Sequence, residues 1–470
     1  MCHVTLSPDL AQDLVQDLAM RPRPNWTPRL SDQGGRPYER LVGALAEDIL
    51  SGALGPDDRL PAHRDVADKL GLSLGTVTRA YDVLQRRGLA RSEKGRGMFV
   101  NATRPARPAS VDLSVNLPPA VIQSSTLSAL ITEVGREIDP ETFTRYAPPA
   151  GLPEHRLMMA RKLAEDRGLR VEPAQLMLTN GAQHALAIAM GALPPGAIAV
   201  EELTYPGVLR AARSLGRSLV PLALDRDGVL PEALEAALDT ETPPIAVYLT
   251  PSSQNPTGAL LSEDRRQRLA ELAEASGLWV IEDDADAVFA PPDLPSLAER
   301  APDHVLHVGS VSKSLAPGLR LGFLATPPAM IEPCTSWLQA TASMGNPLSA
   351  MLMSQAMGAR LNTSIAASIR TEAARRCALA REVLEPWLPE NTRDALHVWV
   401  PMPTARARDI VLAAARLNIT LAPPDAFMVD PGAEASGLRL CLGNALMPDL
   451  RAALESIAKL LRGGQDPALV

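Results

Sequence analysis

Cysteine is scarce in this 470-residue chain, and the four present, Cys2, Cys334, Cys377 and Cys441, lie far apart with no CxxC pair. Neither a disulfide framework nor a zinc site is indicated, no metal is expected, and the usage fits a reducing cytoplasm. Long apolar runs are missing too, so no membrane-spanning helix is expected. The first residues, MCHVTLSPDLAQDL, carry acids where an export signal needs positive charge and then an apolar core, so export is not expected either. Overall positive charge is also lacking. The formal net charge of −8 argues against a protein coated in nucleic acid. What is present is ordinary globular material, 46% hydrophobic and 21% charged, long enough for two or three domains.

The most chemically suggestive stretch is GSVSKSLAPGLRLG, Gly309 to Gly322. Lys313 stands among Ser310, Ser312 and Ser314, ahead of a Pro317-Gly318 turn and Arg320. A lysine so placed could hold an aldehyde as a Schiff base while hydroxyls and a guanidinium hold a phosphate. Taken alone, an SxxK is far more often a solvated surface loop, so the stretch must be judged by what the remaining sequence supplies. Its use as a serine nucleophile with a lysine base would need SDN and KTG partners, and neither tripeptide occurs.

Residues 1–36 read as an N-terminal extension with a short amphipathic stretch at Leu10, Leu14 and Leu18. From Pro37 the pattern sharpens. Leu41, Leu45, Ile49 and Leu50 share one helical face, HRDVADKL forms a second short helix ending at Gly71, and Ser73 can cap a third, LGTVTRAYDVLQRRG. In that third helix Val77, Ala80, Tyr81 and Leu84 recur at helical spacing. Two strand-like runs, LARS and GMFV, follow, joined by the basic turn Glu93-Lys94-Gly95-Arg96-Gly97. Between Arg79 and Arg107 eight basic residues face two acidic ones, a local net charge of +6. Three helices and a basic hairpin form the outline of a winged helix-turn-helix.

RLPAHRDVADKLGLSLGTVTRAYDVLQRRGL with GRGMFV closely resembles the DNA-binding domain of the GntR family of bacterial repressors. The likeness implies that Arg64, Ser73, Thr76, Thr78 and the wing residues Lys94, Gly95, Arg96 and Gly97 face operator DNA. Leu74 stands where that family commonly has arginine, so one expected polar contact is missing.

NATRPARPAS is proline-rich, basic and aperiodic, and residues 101–112 read as a semi-rigid linker. Beyond it, residues 113–470 alternate helix-like and strand-like segments. That pattern predicts a mainly parallel sheet covered on both faces, with ligands at the carboxyl ends of its strands. The polar residues at those ends form a series. Ala182 and Gln183 open a helix whose free amides suit a phosphate; Tyr205 in LTYPG could lie on a planar ring. Asn255 precedes a Pro-Thr-Gly turn, Asp283 ends LWVIED, and the Lys313 loop comes last.

The ordered set TNGAQ, TYPG, QNPTG, IEDD and SVSKSLAPGLRLG resembles the pyridoxal-phosphate aminotransferases of fold type I. Joined to a GntR-type domain, it makes the chain similar to the MocR subfamily of regulators. The fold class this implies is multidomain. An α(+β) winged helix-turn-helix at 37–100 is followed by an α/β transferase domain at 113–470, its large part at about 150–355 and a small α+β part formed by the remainder. By the same likeness Lys313 would form the internal aldimine of pyridoxal 5'-phosphate and Asp283 would face the ring nitrogen. Asn255 would face the phenolic oxygen and Tyr205 would stack on the ring. Ser310, Arg320 and the backbone at Ala182 and Gln183 would hold the phosphate, with Tyr146 reaching it from a partner subunit. Arg439 in GLRLCLG matches an arginine that pairs with a substrate carboxylate. One departure stands out: Ala285 replaces the tyrosine of the family's EDDY. The implied function is a cytoplasmic, homodimeric transcription factor that senses an amino acid or amine at Lys313. The alternative is a working aminotransferase with an attached DNA-binding domain.

Overall fold

The computed structural model describes residues 30, 37–50, 54–55, 57–86, 89–93, 96–101, 110–122 and 124–463. The extension at 1–36 apart from Leu30, the linker residues 102–109, and Lys94 and Gly95 of the wing lie outside the described residues. The chain divides into two compact units, Met1–Ala109 and Ser110–Val470.

The first unit is built on the apolar faces read from the sequence. Helices Pro37–Leu50, His63–Leu70 and Leu74–Arg86 bury Leu41, Leu45, Ile49, Val66, Val77, Tyr81 and Leu84 in one core. The side chain of Leu50 falls outside the description. Gly71 ends the second helix at φ 63°, a left-handed position suited to a residue without Cβ. Ser73 caps the third, its Oγ accepting from the Thr76 amide at 3.1 Å. Tyr81 ties the third helix to the preceding loop by donating to the Pro61 carbonyl at 2.9 Å. Strands β1 (Ala90–Glu93) and β2 (Gly97–Val100) pair antiparallel, with Ala90 opposite Val100 and Glu93 opposite Gly97. This is the hairpin of the expected wing.

The second unit begins at β3 (Val111–Asp112), inside the stretch read as linker, because these residues pair in parallel with a short strand far along the chain, Ile419–Thr420. Its centre is a seven-stranded sheet. In chain order the strands are β4 (Leu176–Thr179), β5 (Ile198–Glu201), β6 (Leu219–Leu222), β9 (Ala246–Leu249), β10 (Trp279–Asp283), β11 (Val305–Ser310) and β12 (Gly322–Ala325). A small hairpin, β7 (Leu224–Asp225) and β8 (Gly228–Val229), interrupts the count. The spatial order is β4-β12-β11-β10-β9-β5-β6, and every adjacent pair is parallel except the two that β12 makes. Strands β4, β5 and β9 are buried along their whole length, as expected of a sheet covered on both faces.

The small part packs helices Leu361–Leu384, Thr404–Arg416 and Met447–Gly463 on the antiparallel pair β13 (His397–Pro403) and β15 (Ala435–Cys441). The Ile419–Thr420 strand, β14, lies beside them and carries β3, which brings Leu113 into this core. Among the described residues no helix is long and apolar enough to cross a membrane.

One polar cluster sits inside the large part. Arg266 is fully buried; it donates to the carbonyls of Leu261 at 3.1 Å and Pro251 at 2.8 Å and lies 3.7 Å from Glu282. Glu282 also accepts from the amides of Leu297 at 2.8 Å and Ala298 at 3.0 Å, and its Oε2 lies 2.9 Å from His307 Nδ1. Burial pushes the Glu282 carboxyl up, but His307 and Arg266 outweigh it and hold it below its usual value. Burial likewise opposes charge on His307, and Glu282 reverses the sign, raising the imidazole. Removing one partner of such a cluster leaves a buried charge without compensation. Arg266→Ala is therefore expected to destabilise the second unit by about 3–5 kcal/mol, read as a lowered midpoint in denaturant unfolding, whereas Arg136→Ala at an exposed ion pair leaves it unchanged.

Candidate functional site

The residues that follow the carboxyl ends of β4, β5, β9, β10 and β11 line one cavity of about 560 Å³. This is where a parallel sheet offers its strand-end polar groups. Ala182, Gln183, Tyr205, Asn255, Asp283, Ser310, Lys313, Arg320 and Arg439 all line it, so the tertiary structure brings together nine residues spread over 258 positions of sequence. Tyr146 is 86% exposed and does not line this cavity.

Alternation along β10 decides what Asp283 can do. Successive side chains of a strand point to opposite faces, so Glu282 enters the Arg266–His307 cluster while Asp283 faces the cavity. Tyr248 Oη donates to Asp283 Oδ2 at 2.8 Å and the Ala285 amide donates to Oδ1 at 3.2 Å. Burial dominates these bonds and pushes the Asp283 carboxyl up to about 6. Asp286 is raised as well, by burial first, against the pull of Lys313 and Arg439.

Lys313 Nζ donates to the backbone carbonyl of Asn116, a residue that arrives from the start of the unit. Ser310 ends β11, donating to Ser312 Oγ at 2.8 Å and accepting from the Ser312 amide at 3.0 Å. Gly181 precedes the helix Ala182–Ala192 at φ 91°, and a Cβ there would collide with the Arg320 guanidinium. Glycine thus lets the guanidinium lie against the start of that helix, where it donates to the Asn180 carbonyl at 3.1 Å. The first amides of the helix have no intrahelical acceptor. Positive charge, hydroxyls and free amides meet at this corner.

On the opposite wall Arg439, buried in β15, donates to Asn255 Oδ1 at 2.8 Å and to the Ser114 carbonyl at 2.6 Å. Its guanidinium lies over the Phe427 ring at 4.7 Å, and its Nε has no partner. Because Oδ1 of Asn255 is engaged, the amide NH2 of that side chain is left to donate elsewhere.

In the first unit Arg64, Ser73, Thr78, Arg96 and Gly97 are exposed and Thr76 is half-buried. The hydroxyls of Ser73 and Thr76 lie 2.8 Å apart, Thr78 Oγ1 donates back to the Leu74 carbonyl at 3.0 Å, and Arg96 pairs with Glu93 at 3.3 Å. Arg79 is turned onto the Tyr38 ring at 4.3 Å. Leu74, at 47% exposure, opens the third helix with an apolar side chain in solvent.

The family described as Aminotransferase class I and II matches residues 108–449, and that described as Bacterial regulatory proteins, gntR family, matches residues 37–100. The uncharacterized HTH-type transcriptional regulator YdeF of Bacillus subtilis is 30% identical over 431 residues, 88% of this chain and 92% of its own. The HTH-type pyridoxine biosynthesis transcriptional regulator PdxR of Corynebacterium glutamicum is 31% identical over 302 residues, 61% of this chain and 65% of its own. The probable rhizopine catabolism regulatory protein MocR of Rhizobium meliloti is 30% identical over 332 residues, 63% and 66% respectively. The chain belongs to the MocR subfamily of GntR-type transcriptional regulators. A crystal structure of LysN, the α-aminoadipate aminotransferase of Thermus thermophilus, superposes on 77% of this chain and 93% of its own, with a TM-score of 0.68 and 26% identity.

The match to Aminotransferase class I and II implies pyridoxal phosphate as the cofactor of the second unit. The cavity suits such a group. Gln183 Oε1 and both amide atoms of Asn116 are buried there without hydrogen-bond partners, which is costly unless a ligand supplies them. The corner of free amides, Ser310 and Arg320 suits a dianion.

Three cavity residues, Asp286, Arg210 and Asn116, escaped the sequence reading, as did Tyr248, which is buried behind the cavity as the donor to Asp283. Tyr248 could have been found, since period-2 alternation in IAVYLT puts it on one face with Thr250, which lines the cavity. Asp286 follows Ala285, the departure from the family's EDDY. Asn116 carries no local signal.

The Tyr248 bond lowers the Asp283 pKa against the effect of burial. Tyr248→Phe is therefore expected to move the titration of that carboxyl upward from about 6, so that the ionised form is lost at a higher pH as acid is added. Infrared difference spectra of the cofactor-free protein, assigned by subtraction of Asp283→Asn, follow the step.

Proposed function

We propose that this regulator senses an amino acid or amine in its second unit and reports it to operator DNA through its first. The observation that carries the reading is the convergence of Lys313, Asp283, Asn255 and Arg439 on one cavity of a chain that also carries a GntR-type reading head. Residues 37–100 serve as the DNA-binding domain, the stretch before β3 as the tether, and the second unit, Ser110–Val470, as the effector domain.

Bound in the cavity, pyridoxal phosphate supplies an aldehyde that condenses reversibly with amines and a ring that withdraws electrons. Lys313 Nζ is the amine that anchors it. Asp283 keeps a proton at the ring nitrogen, Asn255 donates to the phenolic oxygen, and Tyr205 covers a ring face. Ser310, Arg320 and the amides of Ala182 and Gln183 hold the phosphate, joined by Tyr146 of a second copy in a homodimer. Arg439 takes the carboxylate of an amino-acid effector, and in doing so exchanges its bonds to Asn255 and Ser114 for a bidentate pair. An effector shifts operator occupancy to the extent that it binds the DNA-competent state differently.

At the operator, Ser73, Thr76 and Thr78 face the major groove, Arg64 contacts backbone phosphate, and Lys94 to Gly97 form the wing contact. A second reading, turnover of an amine with a keto acid, is favoured by the presence of both Lys313 and Asp283 in one cavity.

Lys313→Ala is expected to abolish the visible absorption of the cofactor-loaded protein and the effect of added amines on operator binding, while the first unit still binds DNA. Unchanged amine-dependent DNA binding in that variant overturns the reading. Multiple turnovers without specific binding upstream of its own gene support the enzyme instead. Arg64→Ala is expected to weaken binding similarly for all duplex sequences and to reduce the salt slope by about 1, measured by fluorescence anisotropy across a salt series.

A further inference from the structure

A second cavity, of about 660 Å³, opens between the large and small parts of the second unit and shares no lining residue with the cofactor pocket. Leu203, Pro221 and Ala259 line it from one part, Trp399, Pro401 and Ser436 from the other. Its size falls within the range of small-molecule sites, about 300–1,000 Å³, and its lining mixes apolar residues with polar and charged ones.

Two of those polar groups are unsatisfied. Ser436 is 4% exposed and its hydroxyl has no partner. His397 is 2% exposed; its ring packs beside the carbonyls of Gln254 and Pro256, yet neither nitrogen makes a hydrogen bond. Burial, aided by the positive charge of Arg439, pushes its pKa down to about 3, so the ring is neutral. Buried polar groups without partners are costly, and a ligand carrying one hydrogen-bonding group would relieve that cost. Three carboxylates that line the cavity, Glu202, Asp430 and Glu434, face the two guanidiniums of Arg226 and Arg393, while a fourth, Asp225, is held in a bidentate pair with Arg265. That balance repels an anion. Trp399, 5% exposed, adds apolar surface to the wall.

The wall of this cavity is also the wall of the cofactor pocket. Thr257 and Gly258 belong to the turn that carries Asn255, and Thr257 binds Gln254 Oε1 through its amide and its hydroxyl, each at 2.8 Å. Trp399 meets Phe427 edge-on at 6.2 Å, and Phe427 underlies Arg439. An occupant touching Trp399 and Thr257 presses on the two elements that position Arg439 and Asn255.

We propose that this cavity is a second small-molecule site for an uncharged or cationic planar compound with one hydrogen-bonding group, and that its occupancy alters amine binding in the cofactor pocket. The site stands on its own observations; its coupling rests on the reading of Lys313 and Arg439 given above.

The cofactor-loaded full-length protein is titrated by equilibrium dialysis with indole, N,N,N-trimethyltryptammonium and indole-3-acetate, which share one planar body and cannot condense with an aldehyde. Indole and the cation bind, and the acetate binds about tenfold more weakly. Ala435→Trp at the rim and Ser436→Leu inside each weaken indole binding by about tenfold with the cofactor absorption unchanged. If Ser436→Leu fails to fold, Ala435→Trp decides. Failure of both indole and the cation to bind overturns the site, as does binding that survives Ala435→Trp or that pyridoxal phosphate displaces from cofactor-free protein. Saturating indole shifts the apparent Kd of an added amine, followed at the visible band; an unmoved amine titration overturns the coupling. A wild-type protein without that band contradicts the Lys313 reading instead, and leaves the dialysis result standing.

Discussion

Everything in the cofactor pocket depends on how β10 ends. The three acids at that end alternate across the sheet, and the buried arginine, histidine and helix amides around Glu282 fix which face each one takes. A one-residue slip would send Asp283 into that cluster and Glu282 into the cavity. The cost of leaving Arg266 buried without its carboxylate opposes that slip. Asp284 follows Glu282 to the same side, where it lies 3.6 Å from Arg167. A charge network outside the cofactor pocket therefore sets the position of the acid that faces it.

The pocket is closed by elements from both ends of the second unit. Ser114 and Asn116 come from its first residues, Arg439 from near its last, and all three meet the central sheet only because β3 pairs with β14 and Leu113 joins the small core. Arg439 then joins the two parts chemically, through its bond to Asn255. A side chain that must release one partner to take a ligand links occupancy to the seam between parts. Such a seam is what a regulator needs and what a catalyst in the same fold uses to close over its substrate.

In the first unit the helices, their caps and the wing hairpin were all legible, because apolar spacing, Ser73, Gly71 and the glycine turn are local signals. The strand-end series in the second unit was legible for the same reason, each member being attached to a turn or helix start of distinct composition. Arg79 and Arg96 show the limit. Both entered the sequence as positive charge available to DNA, yet one lies on Tyr38 and the other pairs with Glu93. Charge can be counted along a chain, but its partners cannot.

The sequence by itself determined the family, the two-unit organisation and the residue types gathered at the strand ends, since these follow from local pattern and motif order. Only the tertiary structure decided that Tyr248 holds Asp283, that Asn116 holds Lys313, that Arg439 rests on Asn255, and that a second cavity backs onto the first. Each is a contact or cavity wall between segments distant along the chain. Which of them meet is settled by strand pairing and by the burial of charge, and neither leaves a mark on the neighbouring residues.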